Sequence, residues 1–104
     1  MIIIRSYNGI PIRITDERLV HIYENHPEMS DEIEGIKETL ITPDLVSEGD
    51  NDELIAVKFY SKTPVTSNKY LAVVYKVIDS LNGFILTAYF TRKYNEKRKI
   101  VWKR

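Results

Sequence analysis

Few residues in this chain can move a proton near neutral pH. There are two histidines, His21 and His26, and no cysteine, so a thiol nucleophile, a disulfide framework and a zinc ribbon are excluded. The histidines are five apart, about 140° around a helix, and cannot share a metal as an i, i+4 pair does. The sequence has no Gly-rich phosphate loop, no Gly-x-Ser-x-Gly elbow and no Gly-x-Gly-x-x-Gly fingerprint. What remains is acid–base chemistry without metal or cofactor. Cleaving RNA through its own 2′-hydroxyl is such a reaction. It needs a proton acceptor, a donor to the leaving oxygen and cations around the crowded phosphate. Histidine, lysine, arginine, tyrosine and threonine suffice, and the chain contains them all.

The distribution of charge bears on the same chemistry. Lysine and arginine number 15, aspartate and glutamate 15, but they are segregated. Through Leu54 there are 4 basic and 13 acidic residues, a net of −9; from Ile55 onward 11 basic residues face only Asp79 and Glu96, a net of +9. Such asymmetry points to a polyanion or an oppositely charged protein as partner, or to acidic helices neutralising a basic sheet within the fold. The run from Arg92 to Lys99 interleaves cations with Tyr94, a mixture suited to phosphates and bases.

These residues must be positioned by a single domain, 1–104. The length fits one modest core, and 43% apolar with 29% charged residues is ordinary for a globular chain. The longest apolar runs, Met1–Ile4 and Tyr70–Tyr75, are far below the roughly 18 residues that span a bilayer. No basic region precedes an apolar stretch at the start, so a cytoplasmic protein with no membrane partner is expected. Ile2–Arg5 and Ile10–Ile14 read as short extended segments around Asn8-Gly9, with Pro11 making the second an edge strand or arm. Thr15 caps a helix carrying Leu19, Ile22, Tyr23 and His26 on one face, stopped by Pro27. Ser30 caps a second, with Ile33, Ile36, Lys37 and Leu40, ended by Pro43. Ser47–Asp52 reads as a turn.

Thereafter the period changes to two. Glu53–Tyr60, Lys69–Asp79 and Phe84–Arg92 read as strands, with a hairpin turn in Leu81-Asn82-Gly83 and a last apolar patch at Ile100–Trp102. The expected architecture is α+β: N-terminal helices packed on one face of an antiparallel meander. An even hairpin loop would place Val57, Phe59, Val73, Phe84, Leu86 and Phe90 beneath the helices. Lys58, Tyr60, Tyr70, Lys76, Thr87, Tyr89 and Thr91 would line the other face. Beside the tail's Arg92 and Lys93, Lys58, Tyr60 and Thr91 are candidate substrate contacts; ordinary solvated strands have a similar composition. His26 ends the apolar stripe of its helix, where the dipole favours positive charge. It is either a proton-transfer group or a core-edge histidine bonded to backbone. His21 points away from that stripe.

Four strings in order, His21-Ile22-Tyr23-Glu24-Asn25-His26-Pro27-Glu28, Glu38-Thr39-Leu40-Ile41-Thr42-Pro43-Asp44, Tyr70-Leu71-Ala72-Val73-Val74-Tyr75-Lys76 and Thr87-Ala88-Tyr89-Phe90-Thr91, resemble small prokaryotic proteins. These are members of the barnase–EndoU–colicin–RelE-like nuclease superfamily, in its phage-associated and toxin-like branches. The resemblance runs from about Thr15 to Trp102. It implies a helix-then-sheet domain with metal-independent ribonuclease activity. The roles of helical histidine, sheet cation and late-strand hydroxyl would fall on His26 (or His21), Lys76 and Thr87, with Tyr89 nearby. The leading expectation is an RNA-cleaving toxin or housekeeping ribonuclease, with RNA and an antitoxin protein as partners and no cofactor. The rival readings are a non-catalytic module holding RNA or an acidic protein on the basic face, and a domain that pairs its acidic half with the basic half of a second copy.

Overall fold

In the computed structural model, which describes residues 1–104, the first hairpin pairs β1, Ile2–Arg5, with β2, Pro11–Ile14. The Thr15 hydroxyl then accepts from the Arg18 amide at 3.1 Å and opens α1, Asp16–Asn25. Asp16 and Glu17 lie in its first turn, where negative charge meets the positive end of the helix dipole. Pro27 has no amide proton to extend the ladder. The chain tightens into a 3-10 turn, Pro27–Asp31, before α2, Ile33–Ile41. Ser30 is therefore inside the turn and caps nothing; Glu32 occupies the cap position of α2 without a side-chain bond.

The remainder is strand: β3 Leu45–Glu48, β4 Leu54–Lys62, β5 Ser67–Asp79, β6 Asn82–Thr91 and β7 Ile100–Lys103. The fold is α+β, one seven-stranded sheet in the order β1-β2-β6-β5-β4-β3-β7. Every neighbouring pair is antiparallel except β2 with β6. The β4–β5–β6 meander is as expected. Ser47–Asp52 was expected as a turn, but Ser47 and Glu48 belong to β3, where they pair with Ile55 and Leu54. β2 is internal rather than an edge; Pro11 is tolerated as its first residue, opposite Arg5.

Register corrects two of the expected faces. Lys62 pairs with Ser67, so Val57 lies opposite Ala72 and Ile55 opposite Val74. β4 is thereby inverted: Ala56 joins Leu71, Val73 and Tyr75, while Val57 and Phe59 turn to the other side. Both sets in β4 are apolar, so alternation alone could not choose between them. In β6 the register shifts at Leu86, a bulge that sends Ile85 to the Tyr75 side and Phe84 to the side of Lys76. The reversal of the chain is made by Ser80 and Leu81, with Asp79 pairing Asn82. Gly83 serves another purpose. It pairs with Ile12 of the parallel β2, and a Cβ there would lie 2.5 Å from the Ile12 Cδ1 and 2.9 Å from the Lys76 carbonyl oxygen.

The larger core cluster joins Ile22, Met29, Ile36 and Leu40 to sheet residues that include Ile12, Ile14, Leu71, Val73, Tyr75, Ile85 and Ala88. The smaller one, Leu45, Ile55, Val57 and Ala72, contains no helical residue. No helix is long and apolar enough to cross a membrane.

Candidate active site

The face of the sheet around the smaller cluster is organised in rows by the strand register. Phe59, Tyr70 and Thr91 lie side by side across β4, β5 and β6; the next row is Val57, Ala72 and Tyr89, and the next Ile55, Val74 and Thr87. Successive rows are about 7 Å apart, two residues along a strand. Lys76 pairs with Phe84 beyond the bulge, about 13 Å along β5 from the Tyr89 row.

His26 reaches this face because of how α1 leaves β2. The parallel pairing of β2 with β6 stops at Arg13 and Phe84. α1 begins two residues after β2 ends and continues along the flank that β2 has vacated, where an Arg18 guanidinium nitrogen donates to the Leu86 carbonyl at 3.4 Å. Its Ile22 is in the larger cluster, yet its end turns around the edge of the sheet. There the His26 ring lies 5.7 Å from the Tyr89 ring, tilted by 32°. The helices therefore do not simply lie on one face, and the histidine meets the late-strand tyrosine across the sheet edge. His26 is a third exposed, and its Nδ1 is 3.7 Å from Glu28 Oε1, close enough to orient the ring when protonated.

The third part is the strap 92–99, which carries the chain from β6 to β7 past β5, β4 and β3. It is tied down by its own turn bonds, Thr91 Oγ1 to the Lys93 carbonyl at 2.7 Å and the Lys97 amide to Asn95 Oδ1 at 3.0 Å. Arg98 makes a two-pronged bond to Asp50, at 2.8 and 3.3 Å. That bond and the charge behind it hold the Asp50 carboxyl below its ordinary range and push the Arg98 guanidinium up. Between strap and sheet is a cavity of about 150 Å³. Tyr89, Thr91, Lys93, Tyr94, Asn95 and Arg98 line it over a floor of Ile55, Val57 and Ala72.

No family model, curated protein or solved structure matches this chain.

Of the expected site residues, His26, Tyr89, Thr91 and Lys93 are gathered at one end of the open face, with Thr87 one row away and Arg92 at the start of the strap. Lys76 shares the face but is two rows distant. Lys58 and Tyr60 are on the opposite side of the sheet, a consequence of the inverted β4. Lys58 Nζ donates to the Thr42 carbonyl at 2.7 Å and its hydroxyl at 3.0 Å, closing the end of α2. Tyr60 donates to the Gly35 carbonyl at 3.2 Å and meets Thr39 Oγ1 at 3.3 Å. Burial pushes its hydroxyl up to about 12 although the Thr39 bond works against this. His21 is exposed, and its backbone carbonyl accepts from the Asn25 side chain.

Sequence reasoning missed Arg18, Arg13 and Phe59. Arg13 covers the Phe84 ring at 5.7 Å and bonds Asn82, and with Arg18 it lines a second cavity of about 250 Å³ beside β6. The available signal was their isolation: they are two of only four basic residues in the acidic half. No three His, Asp or Glu side chains converge as metal ligands.

Proposed function

We propose that this protein is a metal-independent ribonuclease that cleaves RNA by attack of the 2′-hydroxyl on the adjacent phosphate. The observation that carries the reading is the His26–Tyr89 contact at 5.7 Å on a face otherwise furnished with cations and hydroxyls. In the reaction the 2′-oxygen bonds to phosphorus, its proton passes to a base, and the 5′-oxygen departs with a proton from an acid, leaving a 2′,3′-cyclic phosphate. His26 serves as general acid or base, its ring steadied by Tyr89 and Glu28. Lys93 offsets the charge that builds on the phosphate, with Arg18 on the flank of β6; Lys76 acts further along the strand on the substrate backbone. Thr87 holds a phosphate oxygen, and Thr91 fixes the start of the strap through its bond to the Lys93 carbonyl. Electrostatic stabilisation of this kind is usually the largest contribution to such a rate.

The −9 and +9 halves also support an acidic antitoxin as partner, seated on the strap, or a second copy of the chain, within a cytoplasmic setting. A second reading, a non-catalytic RNA-binding module, is favoured by the aromatic contacts of Tyr70 with Phe59 and Tyr94, which bind without chemistry. Incubating the purified chain with total RNA in EDTA separates the two. The ribonuclease reading expects cleavage, a 10²–10⁴-fold loss in His26→Ala, and retention in His21→Ala. An intact RNA pool with wild-type protein leaves the binding module.

A further inference from the structure

Beyond the site where bonds would change, the open face carries a second arrangement. Phe59 meets Tyr70 edge-on at 5.3 Å and 69°, and Tyr70 meets Tyr94 of the strap at 5.3 Å and 83°. Phe59 is 43% exposed, whereas Val57, two residues away on the same face, is buried. Beside Tyr70 and Tyr94 opens a groove of about 430 Å³, edged by Arg92, Lys93 and Lys97. None of these three cations is in an ion pair, and Glu96 is the only acidic residue on the groove.

Aromatic rings alternating with unpaired cations are complementary to a polymer that alternates flat bases with phosphates. Each edge-on contact covers one face of only one ring of its pair, Phe59 stays exposed, and base–aromatic stacking is tolerant of sequence. A duplex cannot use such a platform, because each base face is already stacked on its neighbour and the helix presents only backbone and groove edges. The Phe59–Tyr70–Thr91 row is also one step, about 7 Å, from the Tyr89 row. That is close to the rise between successive nucleotides of an extended strand.

We infer that the substrate is an unpaired RNA strand, whose bases downstream or upstream of the reacting phosphate stack on Phe59, Tyr70 and Tyr94 while Arg92, Lys93 and Lys97 hold its phosphates. The inference rests on the ribonuclease reading for the identity of the polymer, but the platform itself does not require catalysis. The test is binding of a labelled 2′-deoxy single strand, which has no 2′-hydroxyl to attack, against the same strand annealed to its complement. The single strand is expected to bind at least about tenfold more tightly, and Phe59→Ala to weaken it by about 5- to 100-fold. Melting of Phe59→Ala, measured alongside, should stay near wild type because the ring is largely outside the core. Lys97→Ala supplies a second variant, expected to flatten the salt dependence by about 0.7 in log–log slope. Equal or tighter duplex binding, or unchanged single-strand binding in Phe59→Ala, overturns the platform. Selective single-strand binding without any RNA cleavage upholds the platform and removes the ribonuclease reading; cleavage of RNA with no preference for single strands does the reverse.

Discussion

The two faces of the sheet are built from similar residues and closed by different means. On one, Met29, Ile36 and Leu40 from the helical segment meet Leu71, Val73 and Tyr75, all of them inaccessible to solvent. On the other, four buried residues lie under tyrosines and a strap whose side chains are mostly charged. Lysine, threonine and tyrosine occur on both. On the covered face they are consumed by the ends and backbone of α2: Lys58 by the Thr42 carbonyl, Tyr60 by Gly35 and Thr39. On the open face Lys93, Thr91 and Tyr89 line a cavity, and Tyr89 also meets a histidine. Residue type therefore does not distinguish a structural group from an available one; what distinguishes them is whether α2 lies within reach.

The largest effect that could break this comparison is on stability. Tyr75→Ala should cost about 3–5 kcal/mol, the usual range for truncating a buried aromatic. Tyr89→Ala, on the open face, should cost much less in the same urea titration. The reverse order would mean that the faces are exchanged. Gly83→Ala should cost about 1–3 kcal/mol by overpacking, because the new methyl meets a backbone carbonyl and Ile12 where β2 crosses to β6.

The elements around these positions were unequally legible. α1 was readable from Thr15, its apolar stripe and Pro27, and the open faces of Tyr70, Tyr89 and Thr91 followed from period-two alternation. Lys58 and Tyr60 were misplaced because Ile55-Val57 and Leu54-Ala56 are equally apolar, and only the closure of the hairpin at Lys62 and Ser67 chooses between them. The bulge at Leu86 and the parallel β2–β6 pairing have no local signature. Without them the meeting of His26 and Tyr89 could not be read from spacing, because it depends on α1 running along a flank that β2 leaves free.

Smaller effects sharpen the same contrast through pH. Glu32 is buried at the start of α2 with Oε1 unpartnered; burial raises its carboxyl above the ordinary range, and a Thr63 hydrogen bond only partly opposes this. The folded state then holds a proton that the unfolded chain has released, so this group's contribution to stability falls as pH rises through the interval above the ordinary glutamate range. Glu32→Gln should remove that decline and melt higher than wild type at neutral pH, with the difference vanishing in acid. On the open face the sign is opposite. Asp50 is lowered by Arg98, so its contribution is present above the ordinary aspartate range and is lost on acidification. Being a surface pair, it should make Asp50→Asn nearly silent in thermal melts at neutral pH, the smallest change of the set.

The most direct measurement is the single-turnover cleavage rate of a short RNA in EDTA across pH, for wild type and His26→Ala side by side. Wild type is expected to give cyclic-phosphate products, with a rate lower by about 10²–10⁴ in the variant and loss of the limb of the profile that the imidazole supplies. Superimposable profiles for the two proteins, or a wild type that leaves the RNA intact at every pH, would contradict this expectation.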